Sequence, residues 1–366
     1  MTRIAIVHER FTDLAGSERV VEQLYREWPQ AEIFAPVIDD AQLPAGLRGA
    51  TLHTSSLQRL YRGGTYAHLL PLLPGAMASF DLRGFDLVLV SHHAFANRVR
   101  PPAGVPVVSY THSPARWMWD SQMRRNEAGG PVGRWGLAAF AATQRRADRT
   151  AAARLTTIVA NSTTVAERAR RWWGRCATVV HPPVDVAAHR PDVSVAREDF
   201  FLLAGRLVPY KRPEVAVAAA SEAGVPLVVA GEGRAEAAAR AVAGPTVRFL
   251  GRVGDDELRD LYRRCRALLM PGVEDFGIVP VEAQACGAPV IALGVGGNTE
   301  TVVDDVTGRL YHGVDEAEQI RALVVALRGF DPDRFDAGAI RRHAETFSPD
   351  RFRVRMRELV DGLRQN

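Results

Sequence analysis

Cysteine is scarce in this sequence, and metal-binding patterns of cysteine and histidine are missing. Only three cysteines occur among the 366 residues, Cys176, Cys265 and Cys286. They form no C-x-x-C pair and no cluster with histidine, so neither a disulfide framework nor a zinc site is predicted. A reducing compartment suits such a chain, and we therefore expect a cytoplasmic protein.

The sequence also lacks a long apolar run. Its start, MTRIAIVHERF, enters a short apolar strand without the extended apolar stretch of a signal peptide. No window approaches the ~20 apolar residues that cross a bilayer. Hydrophobic residues make up 47% and charged residues 24% of the chain, and the formal net charge is +4. This composition predicts a globular protein of about two domains, and the mild positive excess suits an anionic partner.

The glycine pattern of a dinucleotide-binding fold is missing as well. That fingerprint places G-x-G-x-x-G between the first strand and its helix, but the connection HERFTDLAGSERVVEQL holds a single glycine. Further on, Gly231 and Gly233 are followed by Glu236 where the third glycine would stand. A nicotinamide- or flavin-dependent oxidoreductase is therefore not predicted.

The sequence does contain a regular alternation of short apolar runs and amphipathic segments of helix length. The apolar runs occupy residues 3–8, 86–91, 105–110, 156–161, 200–205, 226–231, 247–251, 267–272 and 289–294. Near-continuous apolar strands separated by helices indicate parallel sheets that are buried on both faces. The series is interrupted at residues 181–199, where proline and charge without a clear period predict a linker.

This organisation predicts an α/β protein of two Rossmann-like, doubly wound domains that face each other across a cleft. The predicted domains cover residues 1–185 and 186–347. A C-terminal helix, predicted within 348–366 with Ser348 as N-cap, can cross back to the N-terminal domain. Ligands of such folds bind beyond the carboxyl ends of the strands. Polar residues follow several of the predicted strands there: His92, His93, His112, Asn161, Ser162, Arg206 and Glu274.

The stretch VEDFGIVPVEAQACGAP, residues 273–289, has the features of an anion site. Pro280 suits the first position of a helix, because the N–H that proline lacks would have no partner there. The N–H groups around residues 276–279 would then point toward the strand ends, where the positive end of the helix dipole favours an anion. Gly277 lets the backbone approach a ligand closely. An ordinary loop, helix cap and solvated face would give the same sequence.

Two cations follow the first strand of the second half. In GRLVPYKRP, Arg206 and Lys211 stand five residues apart and together suit a diphosphate, although such a pair alone is also typical of a solvated basic turn. A glutamate ~4 Å from a phosphate would be repelled by about 4 kcal/mol at an effective dielectric constant of about 20. We therefore expect Glu274 and Glu282 to bind neighbouring hydroxyl groups. A nucleotide sugar, with sugar, diphosphate and ribose in series, satisfies both requirements.

EDFGIVPVEA resembles the E-x7-E motif of retaining glycosyltransferases of family 4, which have the GT-B fold. The resemblance covers nearly the whole chain and includes GRLVPYK, ANS at 160–162, FLGRVGDDELRDLYRRC and the GG, ETV and G within 296–308. SYTHSPARWMWD at 109–120, together with EDFGIVPVEA, is similar to the GDP-mannose-dependent mannosyltransferases of polysaccharide and glycolipid assembly. The resemblance implies transfer of a hexose, with mannose from GDP-mannose favoured, to a hydroxyl of a glycan or lipid-linked acceptor.

The resemblance also implies roles for particular residues. Glu274 would contact hydroxyls of the transferred sugar and Glu282 those of the ribose. Arg206 and Lys211 would bind the diphosphate and stabilise the leaving group, and His112 would lie near the reacting sugar; with Glu274 these are the expected catalytic residues. The expected donor-binding residues are Gly16, Ser17, Arg206, Lys211, Val253, Glu274, Phe276, Gly277, Ile278, Val279 and Glu282, and the expected acceptor contacts are Arg116 and Trp117.

The loop LAGSERV resembles the Gly-Gly-x-Glu loop of the family near the donor phosphates, with N–H groups of Gly16 and Ser17. Ala15 stands where the family has its first glycine, so this loop departs from the pattern. The family is metal-independent, which implies no metal or other cofactor besides the nucleotide sugar as co-substrate. Two basic residues and a helix N-terminus would do the work of a metal ion.

Several of these residues also have purely structural interpretations. His112 could cap a strand end and bond to backbone, and one of His92 and His93 is expected to be packed. Asp255 could read guanine, but the N-cap of a helix before DELRDLYRRC is the preferred interpretation. The pair Gly296–Gly297 either approaches the donor or makes a turn.

Tryptophan and arginine are concentrated in the first half, which binds the acceptor in this family. The residues are Trp117, Trp119, Trp135, Trp172 and Trp173 with Arg116, Arg124, Arg125, Arg134, Arg145, Arg146, Arg168, Arg170, Arg171 and Arg175. Such surfaces contact anionic membranes, stack on sugars, or are helices with arginine-rich outer faces. Peripheral contact with the inner membrane surface is thus one of three interpretations. No nucleic-acid recognition motif is present, and no nucleic-acid partner is expected.

Other functions remain as alternatives on the same fold. The donor could be a UDP-sugar of the UDP-glucose type. The chain could instead be a non-catalytic nucleotide-sugar-binding partner, although the complete set of Arg206, Lys211, Glu274 and Glu282 argues against this. A GT-B epimerase is a more remote alternative.

Overall fold

The computed structural model describes residues 2–64, 66–121, 123–124 and 130–364. These residues form two compact units. Unit 1 comprises the chain up to Pro183 together with the segment from Pro349 onward, and unit 2 comprises Val184–Ser348. The predicted domain limits at residues 185 and 347 lie within two residues of these boundaries. The cleft, and the assignment of acceptor and donor binding to the two domains, stay predictions.

Unit 1 contains a parallel sheet of seven strands in the order β3-β2-β1-β4-β5-β6-β7. The strands are β1 Ile4–His8, β2 Glu32–Phe34, β3 Leu52–His53, β4 Leu87–His92, β5 Val107–Thr111, β6 Thr157–Ala160 and β7 Thr178–Val179. The α-helices before the linker are α1 Gly16–Glu27, α2 Leu73–Ala78, α3 Arg116–Trp119, α4 Gly130–Ala153 and α5 Thr163–Arg168, and a π-helical turn follows at Ala169–Trp173. Short 3-10 turns lie at Asp40–Gln42, Ala45–Leu47, Ser56–Arg59, Ala67–Leu72 and Ala96–Arg98.

Unit 2 contains a parallel sheet of six strands in the order β10-β9-β8-β11-β12-β13. The strands are β8 Phe201–Ala204, β9 Leu227–Ala230, β10 Val247–Gly251, β11 Leu268–Met270, β12 Val290–Leu293 and β13 Gly308–Tyr311. The helices are α6 Pro213–Ala223, α7 Glu236–Ala241, α8 Asp255–Arg264, α9 Ile278–Ala285, α10 Asn298–Thr301, α11 Glu316–Arg328 and α12 Ala337–Glu345, with 3-10 turns at Pro209–Lys211 and Pro332–Arg334.

The apolar runs of the sequence form the central strands because helices cover both faces of each sheet. Every residue of β1, β4, β5 and β8 is buried. Two hydrophobic clusters lie on opposite faces of each sheet, and alternate residues of one strand contribute to different clusters, as Ala5 and Ile6 do. Both units are therefore doubly wound α/β domains of the Rossmann type. The predicted fold class is confirmed.

The last helix, α13 (Pro349–Arg364), belongs to unit 1 rather than to the unit that precedes it in the chain. Its apolar residues Phe352, Met356 and Val360 repeat every four positions and enter the same cluster as Val20 and Leu24 of α1. Outside this contact, Arg357 forms an ion pair with Glu27 at the end of α1. Among the described helices, none is both long enough and apolar enough to cross a bilayer.

Candidate active site

The loop after β8 carries Arg206 and Lys211 and is called the basic loop. It packs against the turn that follows β9. A Cβ on Gly231 would stand 2.0 Å from the carbonyl oxygen of Gly205, and one on Gly233 would stand 2.3 Å from that of Leu207. Both glycines have positive φ, 144° and 154°, which side chains rarely permit. The G-x-G at 231–233 thus shapes the loop that carries Arg206.

Lys211 and Glu274 form the central ion pair of this loop region, with 3.0 Å between Nζ and Oε1. Both side chains are largely buried, and Gly272 permits the contact because a Cβ there would lie 2.5 Å from the Cα of Lys211. Burial opposes the charged ammonium group, but the nearby Glu274 carboxylate outweighs it and raises the pKa of Lys211. Lys211 therefore carries a full charge at neutral pH, and Arg206 lies close enough to oppose that charge.

Helix α9 begins earlier than the sequence predicted. It starts at Ile278, with Gly277 at the N-cap, so Pro280 is its third residue and not its first. Proline is tolerated there because the first four N–H groups of a helix have no partner within it. Gly277 has a φ of 99°, and a Cβ on it would lie 2.9 Å from Pro280 Cγ. The helix N-terminus, with its N–H groups at Ile278 and Val279, thus remains at the predicted place.

The predicted donor residues around α9 are not equivalent. Val279 lies near the basic loop, since its Cγ2 would be 3.9 Å from a Cβ on Gly205. Phe276 is buried and its ring packs against Phe347, with 5.3 Å between ring centroids. Val253 is half-buried against a core cluster. Glu282 is half-buried and faces Tyr262, whose pKa is raised well above the ordinary value by burial and by that carboxylate.

Gly296 and Gly297 hold the loop that carries Glu274. Gly297 donates its N–H to the Glu274 carbonyl oxygen at 2.9 Å, and a Cβ on it would lie 2.4 Å from Phe276 Cα. Asn298, which the sequence did not single out, donates from Nδ2 to the carbonyls of Gly272 and Leu293, both at 3.0 Å. This pair of glycines therefore makes a tight packing turn against the site. A direct contact with the donor stays a prediction.

Asp255 does not cap α8 in the way that was expected. Helix α8 begins at Asp255 itself, and Gly254 occupies the N-cap position without a side-chain hydrogen bond. Together with Asp256 and Glu257, Asp255 places negative charge in the first turn, where the helix dipole favours it.

In unit 1, His112 lies at one end of a chain of hydrogen bonds. Its Nε2 is 2.9 Å from the Oγ of Ser91, and that Oγ is 3.1 Å from Nδ1 of His8. Nε2 of His8 in turn lies 3.2 Å from Oε1 of Glu18. The chain runs from the carboxyl end of β5 across the ends of β4 and β1 to the first turn of α1.

The same chain reaches the predicted Gly16 loop. Glu18 accepts hydrogen bonds from the Ala15 N–H and from the Ser17 hydroxyl, both at 2.9 Å, in a capping box that starts α1 at Gly16. Burial alone would raise the pKa of Glu18, but the hydrogen bond from His8 prevails and lowers it to about 2. Glu18 is therefore a carboxylate. Ala15 is the N-cap, and its methyl side chain accepts no hydrogen bond, so only the half of the capping box made by the Glu18 side chain is formed.

A second buried glutamate, Glu9, holds the turn after β4. Its Oε1 accepts N–H groups of residues 93–96, at 3.3, 2.8, 2.7 and 2.7 Å in order. This arrangement fixes the position of His93, whose ring centroid lies 6.3 Å from that of His112. His92 is fully buried beside Trp173, as expected for a packed histidine.

Three histidines of unit 1 are held neutral. Burial, with smaller contributions from neighbouring charged groups, lowers the pKa of His92, His93 and His112 to about 3. None of them carries a charge near neutral pH. Of this cluster the sequence predicted His112, Gly16 and Ser17, and it missed His8, Glu9, Glu18 and Ser91. Only position in the sequence could have indicated two of the missed residues, because His8 and Ser91 lie at the carboxyl ends of β1 and β4.

The predicted acceptor residues lie on α3. Trp117 stacks on Phe140 with 5.9 Å between centroids and an interplanar angle of 4°, so much of its face is used in packing. Within the tryptophan–arginine group, Arg145 lies 5.9 Å over the Trp119 ring, and Trp119 stacks on Trp172. Trp119 and Trp173 both donate to the buried Asp148. Trp135 is 80% exposed. Arg125 lies outside the described residues.

No group of three or more histidine, cysteine, aspartate and glutamate side chains in the described part of the chain has the arrangement of a metal site. The cations of the site are instead the side chains of Arg206 and Lys211. The candidate residues of unit 1 and those of unit 2 differ in the chemistry that they can perform. The residues of unit 2 can bind an anion next to hydroxyl groups, and those of unit 1 offer neutral imidazoles.

The comparisons with known proteins identify the class. The model of glycosyltransferase family 4 matches residues 14–188, and that of glycosyl transferases group 1 matches residues 187–328. The fold is that of the GT-B glycosyltransferases, and the two halves of the chain match two glycosyltransferase domain models, as the sequence motifs predicted.

Relatives support the same assignment. The chain is 38% identical over 171 residues to a D-inositol 3-phosphate glycosyltransferase of Streptomyces coelicolor, which covers 41% of this chain and 37% of the relative. It is 37% identical over 197 residues to that of Mycobacterium avium, covering 47% and 46%. The chain thus spans less than half the length of these curated relatives.

Solved structures show the fold alone. Sucrose-phosphate synthase from Thermosynechococcus elongatus aligns with a TM-score of 0.75 and 19% identity over 99% of each chain. HepE of Anabaena in complex with UDP aligns with a TM-score of 0.71 and 18% identity, covering 99% of this chain and all of that one. The same protein is also known in complex with UDP-glucose.

Proposed function

We propose that this enzyme is a retaining hexosyltransferase that uses a nucleotide sugar, with GDP-mannose as the favoured donor. The acceptor is a hydroxyl group of a glycan or of a lipid-linked molecule. The observation that carries the proposal is the Lys211–Glu274 ion pair, 3.0 Å long, beside Arg206 and the N-terminus of α9. It combines cations for a diphosphate with a carboxylate for sugar hydroxyls.

The ion pair explains how one site serves both groups. When no donor is bound, Glu274 compensates the charge of the largely buried Lys211. A diphosphate that approaches Lys211 and Arg206 supplies the same compensation, and the Glu274 oxygens become available to sugar hydroxyls. Each charge-assisted hydrogen bond contributes about 1.5–3 kcal/mol. The N–H groups of Ile278 and Val279 add to diphosphate binding, and Glu282 accepts from the ribose hydroxyls.

The transfer step then needs no metal ion. The bond between the anomeric carbon and the phosphate oxygen breaks, and its electron pair stays on the diphosphate, which Arg206 and Lys211 stabilise. The acceptor oxygen forms the new bond on the same face of the sugar. The departing phosphate takes the proton of the acceptor hydroxyl. In unit 1, Gly16, Ser17 and neutral His112 are proposed to contact the phosphates and the reacting sugar.

The choice of donor rests on motifs. The stretches SYTHSPARWMWD and EDFGIVPVEA favour GDP-mannose. A UDP-hexose is the second candidate, because solved structures of the same fold are complexes with UDP and UDP-glucose. The inositol phosphate acceptor of the curated relatives is not carried over, since less than half of their length is matched.

Peripheral contact with the inner surface of the membrane is proposed for α4. This helix exposes Val132 and Trp135 near its start, with the exposed Arg134 between them. An exposed tryptophan beside arginine suits the interface of an anionic membrane. Such contact would bring a cytoplasmic enzyme to a lipid-linked acceptor. Acceptor contacts by Arg116 and Trp117 on α3 are proposed on the same grounds.

Thermal unfolding with GDP, UDP, GDP-mannose and UDP-glucose tests the site and the donor together. A ligand at 100 times its Kd raises the free energy of unfolding by about 2.7 kcal/mol. We expect the guanine nucleotides to give the larger shift, and larger shifts with UDP would replace GDP-mannose by a UDP-hexose. Absence of any shift would contradict the proposed donor site. A donor that binds but is never turned over with any acceptor would favour a non-catalytic binding partner.

A further inference from the structure

The hydrogen-bond chain of unit 1 has a direction that is set at the Glu18 end. A carboxylate accepts hydrogen bonds and cannot donate them. Glu18 already accepts from the Ala15 N–H and the Ser17 hydroxyl, so its contact with His8 requires a proton on Nε2 of His8. The state of the remaining nitrogen of His8, Nδ1, then decides the direction of every following bond.

Two arrangements satisfy all three contacts and also give the proton of the buried Ser91 hydroxyl an acceptor within the hydrogen-bond chain. When His8 is protonated, Nδ1–H donates to the Ser91 oxygen, the Ser91 hydroxyl donates to Nε2 of His112, and the proton of His112 is on Nδ1. When His8 is neutral, the Ser91 hydroxyl donates to Nδ1 of His8. The Ser91 oxygen then accepts from Nε2–H of His112, whose Nδ1 is left as an acceptor.

We propose that His8, Ser91 and Glu18 are positioning residues that determine which ring nitrogen of His112 carries its proton, and that the charge of His8 selects between the two forms. The role in transfer rests on the proposed function, because His112 is proposed there to contact the reacting sugar. In one form Nδ1 of His112 donates to a hydroxyl oxygen, and in the other it accepts from a hydroxyl group.

The groups around the hydrogen-bond chain favour a tautomer change of His112 that is coupled to His8 over a separate protonation of His112. His112 stays neutral because burial and the nearby His93 and His8 lower its pKa to about 3, so its tautomer is what can change. The titratable groups that face His8 are Glu18 from α1, His93 from the turn after β4, and His112 after β5. The uncharged ring of Phe11, at 4.8 Å, covers His8 further.

The change between the forms balances in protons. Starting from protonated His8, Nδ1 of His112 releases one proton to water or to a ligand. The Ser91 hydroxyl passes its proton to Nε2 of His112, and Nδ1 of His8 passes its proton to the Ser91 oxygen. One proton leaves in total, the positive charge of His8 disappears, and no bond between heavy atoms changes. The hydroxyl of Ser91 is therefore required.

Histidine NMR of the full chain tests the coupling directly. With 15N-labelled histidine, we expect the ring nitrogen shifts of His112 to change from the Nδ1–H to the Nε2–H tautomer as pH rises. The midpoint should coincide with the titration of His8. A His112 tautomer that stays constant while His8 titrates would overturn the proposal. Assignment uses His112→Gln, which removes one set of signals.

Two serine variants separate the coupling from general effects of mutation. Ser91→Ala breaks the chain, and we expect the His112 tautomer to become independent of His8. Ser109→Ala is the matched control, since Ser109 is a fully buried serine of the adjacent strand that bonds to Asn97 at 2.7 Å and lies outside the chain. Coupling that persists in Ser91→Ala would contradict the proposal.

Glu18→Gln provides a test that does not depend on the folding of Ser91→Ala. The variant removes the carboxylate that holds a proton on Nε2 of His8, so the pH at which the His112 tautomer changes should move. An unmoved midpoint would count against the proposed chain. If His8 and His112 are coupled but the protein transfers no sugar, only the proposed function is contradicted. If the protein transfers sugar but His8 and His112 are not coupled, only this inference is contradicted.

Discussion

The two units share a fold, and each places its candidate functional residues at the carboxyl ends of the strands of its own parallel sheet. They differ in the charge of these residues. Unit 2 keeps a cation and an anion in contact, with Lys211 paired to Glu274. Unit 1 keeps His92, His93 and His112 uncharged, and His112 joins a chain of hydrogen bonds that ends at one carboxylate, Glu18. A similar backbone thus holds a largely buried ion pair in one unit and neutral imidazoles in the other.

The difference follows from the local neighbours of each site. In unit 2, glycines at 231, 233, 272 and 297 remove side chains wherever two backbone segments meet, so charged side chains come together. In unit 1, strand ends contribute side chains with both donors and acceptors, and the three shifted histidines are buried too deeply to be protonated near neutral pH. Four experiments test this difference between the units.

The largest effect is expected from Lys211→Ala. The substitution removes one cation of the diphosphate site and leaves Glu274 without its partner, so transfer should fall by about 1,000-fold or more. Glu274→Ala should have a similar effect by loss of the sugar contact. Steady-state kinetics measures both, and circular dichroism checks that the fold is retained.

Arg248→Ala is the matched control for Lys211→Ala. It removes a positive charge from the same unit at an exposed position of β10. We expect transfer to stay within about twofold of the wild type, because an exposed charge away from the site contributes little. Normal turnover in both Lys211→Ala and Glu274→Ala would refute the assignment of the donor site.

The next effect is on stability. Gly231→Ala places a Cβ 2.0 Å from the Gly205 carbonyl oxygen at a φ of 144°, and we expect a loss of about 3–5 kcal/mol in the free energy of unfolding. Gly136→Ala is the contrasting change within α4, where a Cβ meets no atom within 4 Å. It should stabilise unit 1 by about 0.5–1 kcal/mol. Urea unfolding distinguishes them, and equal effects would contradict the close packing at Gly231.

The smallest and most selective effect is the pH dependence of stability. His92, His93 and His112 have folded-state pKa values of about 3, below the ordinary 6.5, so the unfolded state binds more protons. Their contribution is complete above pH 6.5 and is lost as pH falls toward 3. Glu18, with a pKa of about 2 against an ordinary 4.5, adds a loss only below pH 4.5.

Unit 2 should respond at the opposite end of the pH scale. The pKa of Lys211 is raised, so its contribution is complete below its ordinary 10.5 and is lost above it. All six tryptophans lie before residue 184, so tryptophan fluorescence reports unit 1 alone. We expect the free energy of unfolding of unit 1, followed by this fluorescence, to fall between pH 7 and 5. Its slope against pH should be smaller in His93→Gln. A slope that is the same in the variant would contradict a neutral His93.

The sequence predicted the central strands well because burial on both faces leaves an unmistakable apolar run. All nine predicted strands are present. The strands it missed, β2, β3, β7 and β13, have two to four residues each, and three of them lie at sheet edges. Edge strands have fewer buried positions and thus little apolar signal, as Arg309 within β13 illustrates.

In the site, single residues were predictable and their partners were not. Lys211 and Glu274 were each assigned to a ligand, yet their contact joins loops that are far apart in the chain. His8 was taken as the end of an apolar strand, because nothing in the local sequence shows that Ser91 and Glu18 flank it. The start of α9 was misplaced because Pro280 was assigned to the first helical position that proline prefers, whereas the first turn also tolerates it as the third residue.

The position of α13 has a consequence for biosynthesis. Phe352, Met356 and Val360 complete the core of unit 1, but a ribosome makes them only after the whole of unit 2. During that interval the nascent first unit presents an uncovered apolar strip at Val20 and Leu24, which is the kind of surface that chaperones hold. The second unit can finish folding before the first, so the order of completion is the reverse of the order of translation.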